Sequence, residues 1–256
     1  MESMIFPLLF EPGTAWEYSV GIDFAGWMVE RVSGLTLEDY LNEHVWGRLG
    51  VTSMCFHPKA AGNEHILSKI TDMSVREGGQ TMFGTPANVN GKMGYTTQTV
   101  WNMETNGCAG GAGCYGPPQD YHKMLQSILK NDEKLLKKAT VEEMFRPQLS
   151  EASRTSFMDH LKLPDINQSM GGWPMGTKLD WGIGGALVME DLEGRKKGTM
   201  CWGGYPNLLW WVDRVGGMAG VWGSQSIYPG DAKVNELFWQ WEKTMYERAE
   251  AQRPKL

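Results

Sequence analysis

The chain has 256 residues, 41% of them hydrophobic and 21% charged, with a net charge of −6. These values describe a soluble globular domain large enough to bury its core without disulfides, and the mild acidity argues against a nucleic-acid surface. The basic cluster Lys134, Lys137 and Lys138 sits beside Asp132 and Glu133 as a solvated face.

The first apolar run, MESMIFPLLF, is too short to span a bilayer and has no basic leader region. A Pro-Gly turn at 12–13 then feeds Trp16 and Tyr18. Helical spacing of Ile22, Ala25, Gly26, Val29 and Val32 predicts a helix over 20–33, stopped by Gly34. A second helix follows, capped by Thr36 with Asp39 three residues on. Its stripe is Leu37, Tyr40, Leu41, Val45 and Leu49, ending at Gly50. Residues 57–107 lack periodicity and read as loops and short strands, a pattern often tied to function. The glycine-rich run GCAGGAGCYGPP leads into a helix started by Pro117 and Pro118, with Tyr121, Met124, Leu125, Ile128 and Leu129 on one face. A further helix is predicted from Thr140, with Glu143 completing a capping box.

The last third changes character. WGIGGALVMED, GTMCWGGYPN, LLWWVD and MAGVWGSQS are short apolar runs separated by turn signals, and they predict an antiparallel meander. Residues 208–212 are apolar throughout, as expected of a strand covered on both faces. An amphipathic helix from Asp231 to about Ala251, with Val234, Leu237, Phe238, Trp241 and Met245 inward, closes the chain. The sequence therefore predicts a single α+β domain over 1–256, an antiparallel sheet flanked by helices.

Several motifs bear on chemistry. GAGCYG matches G-x-G-x-x-G but lacks a buried strand before it, so it reads as a packing loop rather than a dinucleotide site. SILK (Ser127 to Lys130) matches S-x-x-K, a serine–lysine nucleophile pattern. At about 100° per residue, Ser127 falls roughly 130° from the apolar centre and Lys130 nearly opposite it. A solvated lysine stays protonated and cannot act as a base, so the match reads as chance. The cysteines, Cys55, Cys108, Cys114 and Cys201, form no CxxC pair, and neither they nor His57, His65 and Glu64 show metal-ligand spacing. They read as reduced thiols of a cytosolic protein. Trp202, Trp210, Trp211 and Trp222 cluster on the meander as core, as the lining of an apolar acyl pocket, or as both. Tyr18 reads as a packing residue, or as a proton carrier if a cation lowers its pKa. No Lys or Arg lies between residues 1 and 30, so that cation would come from elsewhere in the fold.

Three ordered segments carry a resemblance. PGTAWEYSVG with the following GLTLEDYL, GGAGCYGPPQDYHKMLQSILK, and WGIGGALVMED with WGGYPNLLWWVD resemble the serine β-lactamase-like superfamily. The branch is that of family VIII esterases and fungal lovastatin-type acyltransferases (transesterases). The resemblance implies a β-lactamase/penicillin-binding-protein-like fold and acyl transfer through a serine ester, on a small-molecule ester or acyl substrate, in the manner of fungal secondary metabolism. No metal or organic cofactor is implied by it, and charge and the short apolar start already argue against nucleic acid and a membrane as partners. Tyr18 matches the catalytic tyrosine of the second motif. Trp202, Gly203 and Gly204 match the third motif, with Tyr205 supplying the oxyanion N–H, and the glycines leave room for substrate along the strand.

In the family the S-x-x-K helix lies well ahead of the tyrosine motif, whereas seventeen residues precede Tyr18 here. The expectation is an N-terminally truncated domain in which the nucleophile and the opening strands are absent, with exposed sheet edges prone to self-association. The alternative is a non-catalytic remnant that binds an apolar ligand or a partner chain.

Overall fold

The computed structural model describes residues 7–252; the apolar start of the chain, apart from its last four residues, lies outside them. Helix α1 (Gly21–Ser33) ends at Gly34, whose left-handed φ of 73° and N–H bond to the Glu30 carbonyl make the predicted stop. Its inward face differs from the expectation. Ile22, Ala25 and Val32 are exposed, while Asp23 and Gly26 are buried. The reason is Asp23, whose Oδ1 accepts the Gly111 N–H at 3.1 Å, and Gly26, where a side chain would meet Leu37 at 2.9 Å. Close approach of the glycine-rich loop therefore sets the rotation of α1, overriding its apolar stripe.

Helix α2 (Leu37–Leu41) starts as predicted, with the Thr36 hydroxyl accepting the Asp39 N–H. It does not run on as one helix to Gly50. It widens into a π turn over Asn42–Trp46 and tightens to 3₁₀ over Gly47–Leu49. These turns bury Leu37 and Trp46 in a cluster with Val51, Phe56 and Cys108.

Residues 57–107 hold the short strands β1 (Met73–Arg76) and β2 (Met93–Thr96), as expected, and one short helix, α3 (Glu64–Leu67), that was not expected. Helix α4 (Pro118–Lys130) begins with proline in its first turn. Helix α5 (Lys138–Met144) departs from the sequence expectation: it starts two residues before Thr140, and no side chain caps it. Helices α6 (Glu151–His160) and α7 (Pro164–Ser169) lead to the main sheet.

That sheet is β3 (Leu179–Trp181), β4 (Ala186–Val188), β5 (Met200–Gly204), β6 (Leu208–Asp213) and β7 (Met218–Trp222), in sequential antiparallel order. The predicted run 181–191 is in fact the end of β3, a turn and then β4, because a side chain at Gly182 would strike the Met144 carbonyl at 2.3 Å. Strand β8 (Ser226–Ile227) leaves this sheet and pairs in parallel with β1, giving a second sheet of order β2-β1-β8.

Strand β6 is covered on both faces, as expected. Trp211 packs against Phe238 and Trp241 at 5.8 and 5.6 Å, and Trp210 faces Tyr121 of α4 at 6.5 Å. Helix α8 (Ala232–Ala251) lies across one face, capped by Asp231, which accepts the N–H groups of Lys233 and Val234. Asp231 also pairs with Arg76 of β1, tying the second sheet to this cap. The buried positions of α8 are Asn235, Phe238, Glu242 and Tyr246; Leu237, predicted inward, is exposed. Glu242 is inside because Arg195 meets it with two hydrogen bonds of 2.6 and 2.7 Å, under the rings of Trp173 and Trp239. Among the described residues, β7 pairs only with β6 and leaves its outer edge open, and no helix is long and apolar enough to cross a membrane.

Candidate acyl site

The segment before α1 is held by its tryptophan. Trp16 packs on Phe157 at 4.7 Å, on His160 at 5.7 Å and on Trp181 at 5.7 Å. Hydrogen bonds from Ser150 and Ser153 to the Gly13 carbonyl, and from Ser156 to the Trp16 carbonyl, fasten the same stretch to α6. Two residues beyond this anchor, Tyr18 points outward and is 63% exposed. Its ring stacks on Trp202, with centroids 6.3 Å apart and planes 25° from parallel. Trp202 in turn meets Trp181 edge-on at 4.5 Å. Among the described residues, no hydrogen bond or ion pair engages the Tyr18 hydroxyl.

Strand β5 has two different halves. Met200 and Cys201 pair with β4 on one side and β6 on the other. From Trp202 to Gly204 the β6 pairing continues while β4 has ended, so one edge of this stretch is unpaired among the described residues. A three-residue turn, Tyr205–Asn207, closes the β5–β6 hairpin, with Asn207 in the left-handed region at φ 53°. The Asn207 amide donates to the carbonyls of Ser226 and Tyr228 at 2.8 and 2.9 Å and holds the turn rigid.

The two glycines differ in why they are glycine. A side chain at Gly203 would meet the Leu208 carbonyl at 2.6 Å and Leu209 at 2.9 Å, so its own sheet excludes one. This corrects the expectation that both glycines make room for substrate. At Gly204 a side chain would meet only Leu208, at 3.4 Å and beyond, an ordinary van der Waals contact, so one could be accommodated.

Gly204 and Tyr205 line a cavity of about 680 Å³, with the glycine-rich loop 110–118 opposite and Trp101 against Tyr205 at 6.4 Å. The volume falls within the range of small-molecule sites. Burial, and then the neighbouring Tyr228, push the Tyr205 phenol above its ordinary value. Tyr18, Trp202 and Gly203, expected to border the same cleft, are not among the residues lining this cavity.

The glycine-rich loop is a packing loop, as expected. Side chains at Gly110, Gly111 and Gly116 would strike the Ile22 carbonyl, Asp23 and Met54 at 2.8, 2.8 and 2.6 Å. Ser127 is not where the helix phase put it. It is buried, and its hydroxyl donates to Asp132 Oδ1 at 2.7 Å. Asp132 turns back over the end of α4 and covers a position the helix alone would expose. Lys130 is solvated, as expected.

Comparison with known proteins assigns the fold. The family described as Beta-lactamase matches residues 6–239. The chain belongs to that family. It is 35% identical over 216 residues to a monacolin J acid methylbutanoyltransferase of Aspergillus terreus, covering 83% of this chain and 49% of that protein. It is 33% identical over 234 residues to a lovastatin esterase of Penicillium rubens, covering 91% of this chain and 56% of that protein. A simvastatin synthase variant from Aspergillus terreus superposes with a TM-score of 0.86 at 34% identity, over 96% of this chain and 58% of that one. The chain thus spans about half the length of the curated relatives it matches. The β-lactamase/penicillin-binding-protein-like fold read from the sequence is borne out, and the relatives are acyltransferases and esterases.

Proposed function

We propose that this chain carries the phenol and oxyanion half of an acyl-transfer site acting on small-molecule esters, in the class of its fungal acyltransferase and esterase relatives. The observation that carries the reading is the stacking of Tyr18 on Trp202, which sets the phenol beside the free edge of β5. An acyl carbonyl laid along that edge would reach backbone N–H groups of the Gly204–Tyr205 turn. One such donor stabilises a developing oxyanion by roughly 3 kcal/mol. In this reading Tyr18, which is exposed, carries the proton between the attacking and leaving oxygens. The cavity beyond Gly204, floored by Trp101 and the glycine-rich loop, takes the acyl chain or the acceptor.

Ser127 is not the attacking group in this reading. Its hydroxyl is committed to Asp132, and Lys130 is exposed to solvent. That commitment is also what favours a second reading, in which the site binds an apolar acyl ligand without turning it over. The open edge of β7 supports self-association by strand addition in either case.

Incubation with a p-nitrophenyl ester and a serine-directed phosphonate, read by intact mass, separates the two readings. Turnover that falls in Tyr18→Phe and persists in Ser127→Ala supports acyl transfer. Neither turnover nor adduct, with the ester still bound, supports the ligand-binding reading.

A further inference from the structure

Away from the acyl wall, three side chains from separate segments converge. Glu38 comes from the first turn of α2, His57 from the loop after the Cys55–Tyr115 bridge, and Cys108 from the entrance to the glycine-rich loop. One ligand atom from each lies within 4.8 Å of the other two. Cys108 Sγ is 3.6 Å from His57 Nε2, although the two residues are 51 positions apart in sequence. Cys108 is buried; Glu38 and His57 are half-buried and close the cluster towards solvent.

We propose that Glu38, His57 and Cys108 bind a zinc ion. The argument is geometric and chemical. A tetrahedral zinc with bonds of about 2.3 Å to sulfur and 2.0 Å to nitrogen has an S···N edge of about 3.5 Å, and the observed separation is 3.6 Å. Thiolate, imidazole and carboxylate together are a zinc donor set rather than one for calcium or magnesium. One thiolate and one carboxylate carry two negative charges, which a divalent cation neutralises; the imidazole stays neutral. Binding displaces the Cys108 thiol proton to solvent, so charge and protons balance. The fourth position faces the half-buried side and takes water.

The shell around the cluster is already ordered. Glu38 Oε2 accepts the Phe56 N–H, which fixes the carboxylate. The His57 loop is held by the Asn63 side chain and the Ala60 N–H, both donating to the His57 carbonyl at 2.9 and 3.0 Å. The Cys55–Tyr115 bridge, with N–H···O bonds of 3.0 and 2.8 Å in its two directions, links this loop to the glycine-rich wall of the cavity. The ion would join α2, the His57 loop and that wall. Its effect would be on the stability and shape of the cavity rather than on bond making. Local spacing in the sequence gave no metal signature because each of the three segments supplies a single ligand.

The test uses the whole chain, purified without chelator and then stripped of metal. Zinc is titrated back with a competing chelator, and cobalt(II) is added as a spectroscopic probe. The expected result is one equivalent of metal per chain, a thiolate-to-cobalt charge-transfer band in the near ultraviolet, and a higher melting temperature with zinc. The band disappears in Cys108→Ser and in His57→Gln and persists in Cys114→Ser, which lies outside the cluster. Far-UV circular dichroism establishes that each variant folds, and His57→Gln, at a half-buried position, serves where Cys108→Ser does not. Uptake well below one equivalent, a cobalt band that survives loss of Cys108, or binding unchanged in folded His57→Gln would each overturn the proposal.

Discussion

Tyr18 and Trp202 are far apart in the sequence, yet their rings stack with centroids 6.3 Å apart and planes 25° from parallel. Neither residue needs the other for folding. Trp202 already packs on Trp181, and Tyr18 remains largely exposed on a segment that Trp16 holds in place. An exposed phenol on an anchored loop, stacked on a strand residue, is the arrangement on which the acyl-transfer proposal rests.

This separation of anchor from function is measurable. Trp16→Ala removes contacts with Phe157, His160 and Trp181 and should cost about 3 kcal/mol of stability. Tyr18→Ala loses one exposed stack and should cost about 1 kcal/mol or less. Chemical denaturation of the two variants checks the pair.

The two glycines of the third motif should also part company. Gly203→Ala drives a methyl group into the Leu208 carbonyl and should destabilise by about 1–3 kcal/mol. Gly204→Ala meets only ordinary contacts and should leave the melting temperature nearly unchanged while weakening acyl-ligand binding.

Ser127 holds Asp132. That hydrogen bond is the largest influence keeping the Asp132 carboxyl below the usual carboxylate range, ahead of the Lys134 N–H and its charge. The stability it confers is present above the unfolded carboxylate pKa and is lost as pH falls through the lower folded value. Ser127→Ala should therefore cost about 1 kcal/mol at neutral pH and give a shallower acid limb, read from denaturation midpoints against pH. It should leave any acyl adduct intact.

Alkaline pH acts on the opposite face of the sheet. Tyr246 is buried and donates to Asp213 at 3.0 Å; burial first, then the Asp213 charge, raises its pKa. Burial likewise raises Cys201 to about 11. An acid with a raised folded pKa contributes stability that is complete below its unfolded value and is lost as pH climbs towards the folded one. Stability should hold through neutral pH and decline from about pH 9 upward, where unfolded thiols and then phenols ionise. Tyr246→Phe should flatten the upper part of that decline.

Glu242→Gln tests the buried pair beneath the tryptophans. It leaves the Arg195 guanidinium charged and without its carboxylate, and should cost about 3–5 kcal/mol, read by denaturant unfolding.

What the sequence made legible divides along a physical line. Features set by local geometry were readable: the Thr36 cap, the Gly34 stop, the Pro118 start and the order of the meander. The pattern Trp16-x-Tyr18 and the Trp202–Gly203–Gly204 run were readable through family resemblance, and the fold places Tyr18 and Trp202 together. Features set by tertiary partners were not readable. Asp23 turns inward because Gly111 meets it, Glu242 because Arg195 does, and Ser127 because Asp132 folds back over it. In each case a polar residue on an apolar face, or an apolar residue such as Ile22 or Leu237 on an exposed one, reverses the hydrophobic count. The meeting of His57 and Cys108 was likewise not readable, because the two are 51 residues apart with no local pattern between them.

The most direct test of the acyl site is photo-labelling with a medium-chain acyl ester bearing a diazirine near its carbonyl, followed by peptide mapping. Labels on the segments holding Tyr18 and Trp202–Tyr205, competed by unmodified ester, are the predicted result. Saturable labelling confined to other surfaces, with both segments untouched, would contradict the account.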